Sequence, residues 1–160
     1  MVESNFKYTN ELLKKINSNA TKNINLFCQI AMLIILMGSG VLFVTHNFML
    51  GAIFAVIFVG LVVCLVLTNK TIANANRVLL GQKINIKFDE NSMKMIASLN
   101  DKVLYNATFE YKAIKKVVEK QGVAYIYFDK TSAIVVPKNS FETSSAYEKA
   151  MQLVSNNYIV

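Results

Sequence analysis

The chain has 160 residues, a formal net charge of +7, one histidine and two cysteines. So few thiol and imidazole groups argue against a zinc centre or a disulfide-stabilised scaffold. The 17 Lys and Arg are scattered rather than gathered in one stripe with aromatic residues, which favours an anionic membrane surface over nucleic acid as the neighbour of this charge.

Two long apolar runs follow a polar N-terminal segment, residues 1–23. The runs are Leu26–Val44 and Phe48–Leu67, and no charged residue interrupts either one. Each is close to the roughly 20 residues that a helix needs to cross about 30 Å of hydrocarbon, so we predict a transmembrane hairpin over 24–68. The long polar start disfavours a cleaved signal peptide, and the rest of the chain is too small to enclose both runs as a soluble core.

The flanking charges predict the orientation of this hairpin. Basic residues precede the first run and follow the second, whereas the loop Thr45–Asn47 has no Lys or Arg; the basic residues are Lys14, Lys15, Lys22, Lys70 and Arg77. Because short basic loops stay on the cytoplasmic side, we expect a multi-pass membrane protein with both termini in the cytoplasm and His46 outside.

The second helix is predicted to continue beyond the bilayer as a cytoplasmic stalk over residues 69–81. Asn69–Leu80 contains no Gly or Pro, and Gly81 suits a helix C-cap.

Beyond Gly81 apolar and polar residues alternate along the chain, which predicts an antiparallel meander of strands. The first three strands carry Ile84–Phe88, Met93–Leu99 and Val103–Tyr111, and further strands are expected at Lys116–Glu119, Val123–Phe128 and Ala133–Val136. Lys112–Lys115 fits either a helical turn or a bulged strand. Turns are expected at Asp89–Ser92, Asn100–Asp101, Gln121–Gly122 and Asp129–Lys130.

The chain ends in a predicted amphipathic helix, for which Ser145 and Glu148 have capping-box spacing. Its apolar stripe is Tyr147, Ala150, Met151 and Val154. The expected fold is therefore an α+β membrane protein, in which a helical hairpin is joined to a small antiparallel β-sandwich or partial barrel closed by a C-terminal helix.

Three segments of the chain resemble the C-terminal domain of the bacterial YcxB-like family. They are Ile114–Glu119, Val123–Phe128 and Ile134–Phe141, and the last contains the recognisable Val136-Pro137-Lys138. The resemblance implies a bacterial cell membrane, two adjacent spans and a cytoplasmic pleckstrin-homology-like domain at 82–160. It also implies a further strand near Asn5–Tyr8. Many relatives have a tryptophan where this chain has Tyr111.

The sequence predicts binding rather than catalysis. It has no paired carboxylates in a catalytic frame, no nucleophile motif and no phosphate loop, so we expect no catalytic residues, cofactor or metal. The expected partners are the lipid bilayer and a protein or peptide. An immunity or stress-resistance protein that acts through the hairpin is the alternative.

Anionic lipid is a weaker candidate partner. Asp89 and Glu90 occupy the first hairpin turn, where two carboxylates would repel a phosphate headgroup. The candidate contacts for an anionic surface or a partner are Lys112, Lys115, Lys116 and Lys120, although a run of lysines is commonly just a solvated face.

Overall fold

The computed structural model describes residues 1–45, 48–129 and 132–157. The chain forms two compact units. The helical unit is Glu11–Val78, and the sheet unit combines Met1–Asn10 with Leu79–Val160. His46, Asn47 and Lys130, on which parts of the predicted loop and turn depend, lie outside the described residues.

The helical unit is a hairpin of two long apolar helices, α1 (Asn10–Val44) and α2 (Phe48–Arg77). Their lengths of 35 and 30 residues correspond to about 50 and 45 Å at 1.5 Å per residue, more than a bilayer core requires. In the most apolar 18-residue stretch of each helix, 0 % of α1 and 6 % of α2 is buried. Because the core helix of a soluble protein would be mostly covered, this exposure favours insertion into a membrane.

A polar ladder joins the two helices in their hydrophilic halves. The Asn76 side-chain amide donates to Asn17 Oδ1 across the hairpin. On α1, the Thr21 hydroxyl donates to the Asn17 carbonyl oxygen at 3.0 Å, and the Asn25 amide donates to Thr21 at 3.3 Å. This spacing of four residues puts the three α1 side chains on one face of the helix.

The first sheet of the sheet unit has four antiparallel strands in the order β1-β2-β3-β4. They are β1 (Val2–Lys7), β2 (Lys83–Phe88), β3 (Ser92–Leu99) and β4 (Lys102–Glu110). Asn100 and Asp101 both have positive φ, as a two-residue turn between β3 and β4 requires. The register shift between Ala97 and Ser98 leaves Leu104 of β4 as an extra residue, a bulge that bends β4.

The second sheet has three antiparallel strands, β5 (Lys116–Lys120), β6 (Val123–Tyr127) and β7 (Ala133–Pro137). The segment predicted as a helical turn or bulged strand is a 3-10 turn at Tyr111–Ala113, with Tyr111 fully buried. This turn separates β4 from β5, so the described strands form two sheets and not the predicted partial barrel. The antiparallel strands and the C-terminal helix of that prediction are confirmed.

Helix α3 (Ser144–Asn157) shares one hydrophobic core with both sheets. Thr143 caps it, because the Ala146 N–H donates to the Thr143 hydroxyl at 3.1 Å; the predicted cap at Ser145 is therefore wrong by two residues. Within the predicted stripe Met151 is only half-buried. The fully buried side chains of the core include Ile86, Phe88, Met93, Ile126, Val136 and Val154.

The sheet unit includes the N-terminal residues Met1–Asn10. The predicted boundaries had instead put residues 1–23 in a segment of their own, separate from the domain at 82–160. β1 pairs with β2 along its whole length, from Val2 opposite Phe88 to Lys7 opposite Lys83. Helix α2 ends at Arg77, three residues before the predicted end at Leu80. Gly81 follows with a φ of 86°, which explains the glycine at this turn.

Candidate functional site

A polar groove of about 750 Å³ opens between strand β1 and the beginning of α3. One wall is the N-terminal strand, with Glu3 and Asn5, and the other runs from Ser140 to Lys149. Val2 and Phe141 contribute apolar surface. All of these residues belong to the sheet unit. Its volume lies in the range of known ligand pockets.

Every second residue of β1 directs its backbone N–H and C=O groups towards this groove and away from β2. Tyr8 fixes the phase, because its N–H donates to the Gln82 carbonyl oxygen and its own carbonyl oxygen accepts from the Gly81 N–H, both at 3.0 Å. In an antiparallel pair, every second residue directs both backbone groups to the same neighbour. Counting back from Tyr8, Glu3 and Asn5 therefore direct their N–H and C=O groups away from β2.

Side-chain contacts across β1 and β2 hold that edge strand in register. The carboxylate of Glu3 accepts from Lys87 Nζ at 2.8 Å, and this hydrogen bond lowers the pKa of Glu3 despite some desolvation. The Asn85 amide donates to Asn5 Oδ1. These contacts lie on the face of β1 opposite to the buried side chains of Val2 and Ser4.

Two serines fix the second wall of the groove against β1. Ser4 is fully buried, and its hydroxyl is hydrogen-bonded to the hydroxyl of Ser140. Ser140 in turn donates to the Pro137 carbonyl oxygen. The 3-10 turn Lys138–Ser140 thus connects the end of β7 to the groove.

The first turns of α3 form the rest of this wall, with Ser145, Ala146 and Lys149. Lys149 and Glu142 are exposed and place one charge of each sign at the opening. The groove therefore combines a strand edge, an apolar patch and a mixed-charge rim. Such a surface can bind an extended chain by main-chain pairing.

Tyr147 anchors α3, whose first turns form one wall of the groove. Its ring packs edge-on against Phe141, with centroids 5.5 Å apart, and its hydroxyl donates to Glu119 on β5 at 2.8 Å. Burial and the hydrogen bond to the Glu119 carboxylate raise the pKa of Tyr147. Lys138 Nζ lies 5.2 Å from the centre of the same ring, a cation–π contact.

The four candidate lysines are exposed, and the structure spreads them over two elements. Lys112 lies in the 3-10 turn after β4, and Lys115 immediately precedes β5. Lys116 and Lys120 begin and end β5, about 13 Å apart at 3.3 Å per residue. None of the four contributes to the lining of the groove.

The turn with the adjacent carboxylates is tied into the fold by its backbone. The Tyr111 hydroxyl donates to the Asp89 carbonyl oxygen at 3.0 Å, and the Asn157 amide donates to the Glu90 carbonyl oxygen at 2.9 Å. Tyr111 thus fills the core and closes the β2–β3 turn.

Sequence patterns missed the groove because its walls come from opposite ends of the chain. Ser4 and Ser140 are 136 residues apart. The suggested N-terminal strand was the one available signal, because this strand, β1, lies at an edge of the four-stranded sheet.

The model of the YcxB-like protein family matches residues 104–154, from β4 to the last turn of α3. The predicted resemblance is confirmed over this range. No curated protein and no solved structure matches the chain.

Proposed function

Because residues 104–154 match the model of the YcxB-like protein family, we propose that this protein is a non-enzymatic interaction module anchored in a bacterial plasma membrane. In this proposal α1 and α2 cross the bilayer. The sheet unit is pleckstrin-homology-like and binds an extended segment of a protein partner in the groove beside β1. The observation that carries the proposal is the orientation of the Glu3 and Asn5 backbone towards that groove.

Chain connectivity supports a single location for the whole sheet unit. β1 precedes α1 and β2 follows α2, yet the two strands pair through six residue pairs. If both helices cross the bilayer, the two strands must lie on one side of it. The basic residues that flank the helices then favour the cytoplasmic side.

The groove chemistry supports a peptide over a small polar ligand. An added strand would satisfy the outward backbone groups of Glu3 and Asn5, and this main-chain pairing supplies affinity for many sequences. Specificity would come from alternate side chains, which would meet the apolar surface at Phe141 and the charges of Glu142 and Lys149.

Proline at residue 5 tests this binding mode. A photo-crosslinking amino acid in place of Ser145, in the full-length protein in cells, should capture a protein partner that mass spectrometry identifies. Asn5→Pro removes the outward N–H without removing a β1–β2 hydrogen bond, so it should abolish capture. Asn5→Ala is the matched control, since it removes the Asn85 contact but keeps the N–H, and it should retain capture. Equal capture by both variants would contradict main-chain pairing.

A second candidate function acts through the hairpin, as an immunity or stress-resistance protein. It is favoured by a groove of about 440 Å³ on α2, lined by Gly60, Val63, Cys64, Leu67, Thr68, Thr71 and Ile72. Gly60→Leu would fill this groove, because nothing lies within 4 Å of a β-carbon at residue 60. Loss of a resistance phenotype in this variant, with Asn5→Pro silent, would favour the hairpin function.

A further inference from the structure

We propose that the tip of the β3–β4 hairpin, Leu99–Tyr105, lies in the headgroup layer of the bilayer and binds its anionic lipid surface. The inference depends on the membrane anchoring proposed above, in which α1 and α2 cross that bilayer. It does not depend on the groove beside β1 or on the partner of that groove.

The exposed apolar residues of the sheet unit are concentrated at this tip. In the described part of the unit, the large apolar side chains that are exposed are Met1, Leu80, Val103, Leu104 and Tyr105. The last three are consecutive and are 63 %, 54 % and 45 % exposed. The bulge at Leu104 accounts for this run, because an extra residue interrupts the alternation that turns every second side chain inwards. Contiguous exposed apolar surface commonly marks a contact with protein or membrane.

The strand register puts the tip at the end of the sheet that is joined to the helices. Strand β1 continues into α1, and α2 leads into β2. One row of paired residues crosses all four strands at this end, and it consists of Lys7, Lys83, Ser98 and Val103. A β-carbon at Gly81 would lie 3.6 Å from Leu99 Cδ1. The tip and both chain connections therefore share one end of the sheet.

The charge at this end is positive. Lys7, Lys83 and Lys102 are exposed, and the acidic residue of the tip, Asp101, lies 3.4 Å from Lys83 Nζ. Three ammonium groups against one carboxylate complement an anionic leaflet. Apolar and aromatic side chains beside lysines are typical of surfaces that lie in a membrane interface, where tyrosine is enriched. Protein interfaces are instead depleted in lysine, so this composition favours lipid over a second copy of the chain.

The opposite end of the sheet has the opposite character. Its β2–β3 turn exposes the carboxylates of Asp89 and Glu90. An anionic leaflet would repel these two groups and attract the three lysines at the other end. The charge distribution of the sheet unit therefore supports contact through the β3–β4 tip.

The lengths of the connecting segments are compatible with this contact. Beyond the apolar run that ends at Leu67, α2 continues to Arg77, a further helical segment of about 15 Å at 1.5 Å per residue. The polar layer of one leaflet is about 5 to 7 Å thick. The hairpin extends from Ser98 to the turn at Asn100, about 7 Å at 3.3 Å per residue.

The tip needs little affinity of its own. Because the helices hold it beside the lipid, its local concentration at the headgroups is high. A sheet unit detached from the helices is therefore not expected to stay bound to vesicles through this tip.

Tryptophan fluorescence tests the contact in the full-length protein. The chain contains no tryptophan, so a single introduced one reports its own surroundings. Tyr105→Trp keeps an aromatic side chain at the tip, and Glu110→Trp, at the other end of β4, is the matched control. Each variant is reconstituted at one chain per nanodisc containing phosphatidylglycerol. Lipid with a nitroxide on its headgroup should quench the Tyr105→Trp emission and acrylamide should not, with the reverse pattern for Glu110→Trp.

A second pair of variants tests the tip itself. Leu104→Asp, added to Tyr105→Trp, should abolish quenching by the nitroxide lipid, because anionic headgroups repel the new carboxylate. Thr108→Asp adds the same charge farther along β4 and should leave that quenching intact. Unchanged unfolding temperatures would show that both variants keep the fold. Equal quenching in the two variants would contradict contact through the tip.

The possible failures give different results. Chains that do not enter nanodiscs would contradict the membrane anchoring and, with it, the lipid contact. Chains that enter, but in which acrylamide quenches Tyr105→Trp as strongly as Glu110→Trp, would overturn the lipid contact alone. Emission of Tyr105→Trp that is shielded from both quenchers only when two chains share a nanodisc would assign the tip to a second copy, and would also overturn it.

Discussion

The Tyr147 hydroxyl donates a hydrogen bond to the Glu119 carboxylate at 2.8 Å, and this contact joins α3 to β5. Glu119 is exposed, whereas the ring of Tyr147 is buried against Phe141. Lys138, from the Pro-Lys segment that made the family resemblance visible, lies over the same ring. One tyrosine thus connects three parts of the family segment.

Removal of this hydroxyl should destabilise the sheet unit modestly. Tyr147→Phe keeps the ring and leaves Glu119 free to be hydrated, so the expected loss is about 0.5 to 1.5 kcal/mol in the free energy of unfolding. A double-mutant cycle with Glu119→Ala, measured by thermal unfolding in detergent, isolates the pair. If the two losses simply add, the hydrogen bond does not contribute to stability.

Buried tyrosines should make the protein less stable in alkaline solution. Burial raises the pKa of Tyr8 and of Tyr111 to about 12, and the carboxylate of Asp89 adds to the shift of Tyr111. Unfolded tyrosine has a pKa of about 10, so between pH 10 and 12 the unfolded chain releases protons that the folded chain keeps. Stability is therefore complete below pH 10 and falls above it, by about 1.4 kcal/mol per pH unit for each tyrosine.

The pH dependence of the unfolding temperature measures this effect. Tyr111→Phe should reduce the slope above pH 10, because one of the raised pKa values is gone. A variant with an unchanged alkaline slope would show that Tyr111 ionises without unfolding.

The N-terminal strand should be required for a stable sheet unit. Residues 81–160 alone lack β1 and expose the edge of β2, whose Ile84 and Ile86 belong to the core. Joining residues 1–8 to residues 81–160 through a short Gly-rich linker should restore a stable sheet unit. The two ends are already adjacent, because the Tyr8 carbonyl oxygen accepts a hydrogen bond from the Gly81 N–H. We expect cooperative urea unfolding of the joined chain and a lower midpoint, or no transition, for residues 81–160. Equal midpoints would contradict a structural role for β1.

Local sequence patterns predicted most of the sheet unit because each of its hairpins is local. Alternating residues located β2, β3 and β4 to within one or two residues, and the predicted turns Asn100–Asp101 and Gln121–Gly122 have positive φ, as short hairpin turns require. The position of β1 came only from the family resemblance, and its register depends on pairs about 80 residues apart. The groove was beyond prediction for the same reason, and the four candidate lysines, chosen as a run in the sequence, lie outside it.

The exposed lysines near β5 should give weak binding to anionic membranes. Purified sheet unit, as the joined chain described above, should bind phosphatidylserine vesicles at low salt and dissociate near physiological ionic strength, where charges are screened within about 8 Å. Exchange of Lys112, Lys115 and Lys116 for Glu should abolish this binding and leave partner capture by the groove intact. Salt-resistant vesicle binding would instead indicate a specific lipid site.

Cysteine labelling should place both ends of the chain in the cytoplasm and the predicted loop outside. In a background without Cys28 and Cys64, a membrane-impermeant maleimide added to intact spheroplasts should label His46→Cys and should not label Asn5→Cys or Lys138→Cys. The basic flanks of the hairpin are the reason, and lysines at residues 45 and 47 should weaken the preference.

The pairing of β1 with β2 makes the possible failures of this topology distinguishable. Residues 5 and 138 belong to one compact unit, so any inversion of the hairpin must move both across the membrane together. External labelling of both positions would contradict the orientation predicted from the lysines but leave the fold intact. External labelling of only one would place β1 and the turn Lys138–Ser140 on opposite sides of the bilayer, which the hydrogen bond between Ser4 and Ser140 does not permit.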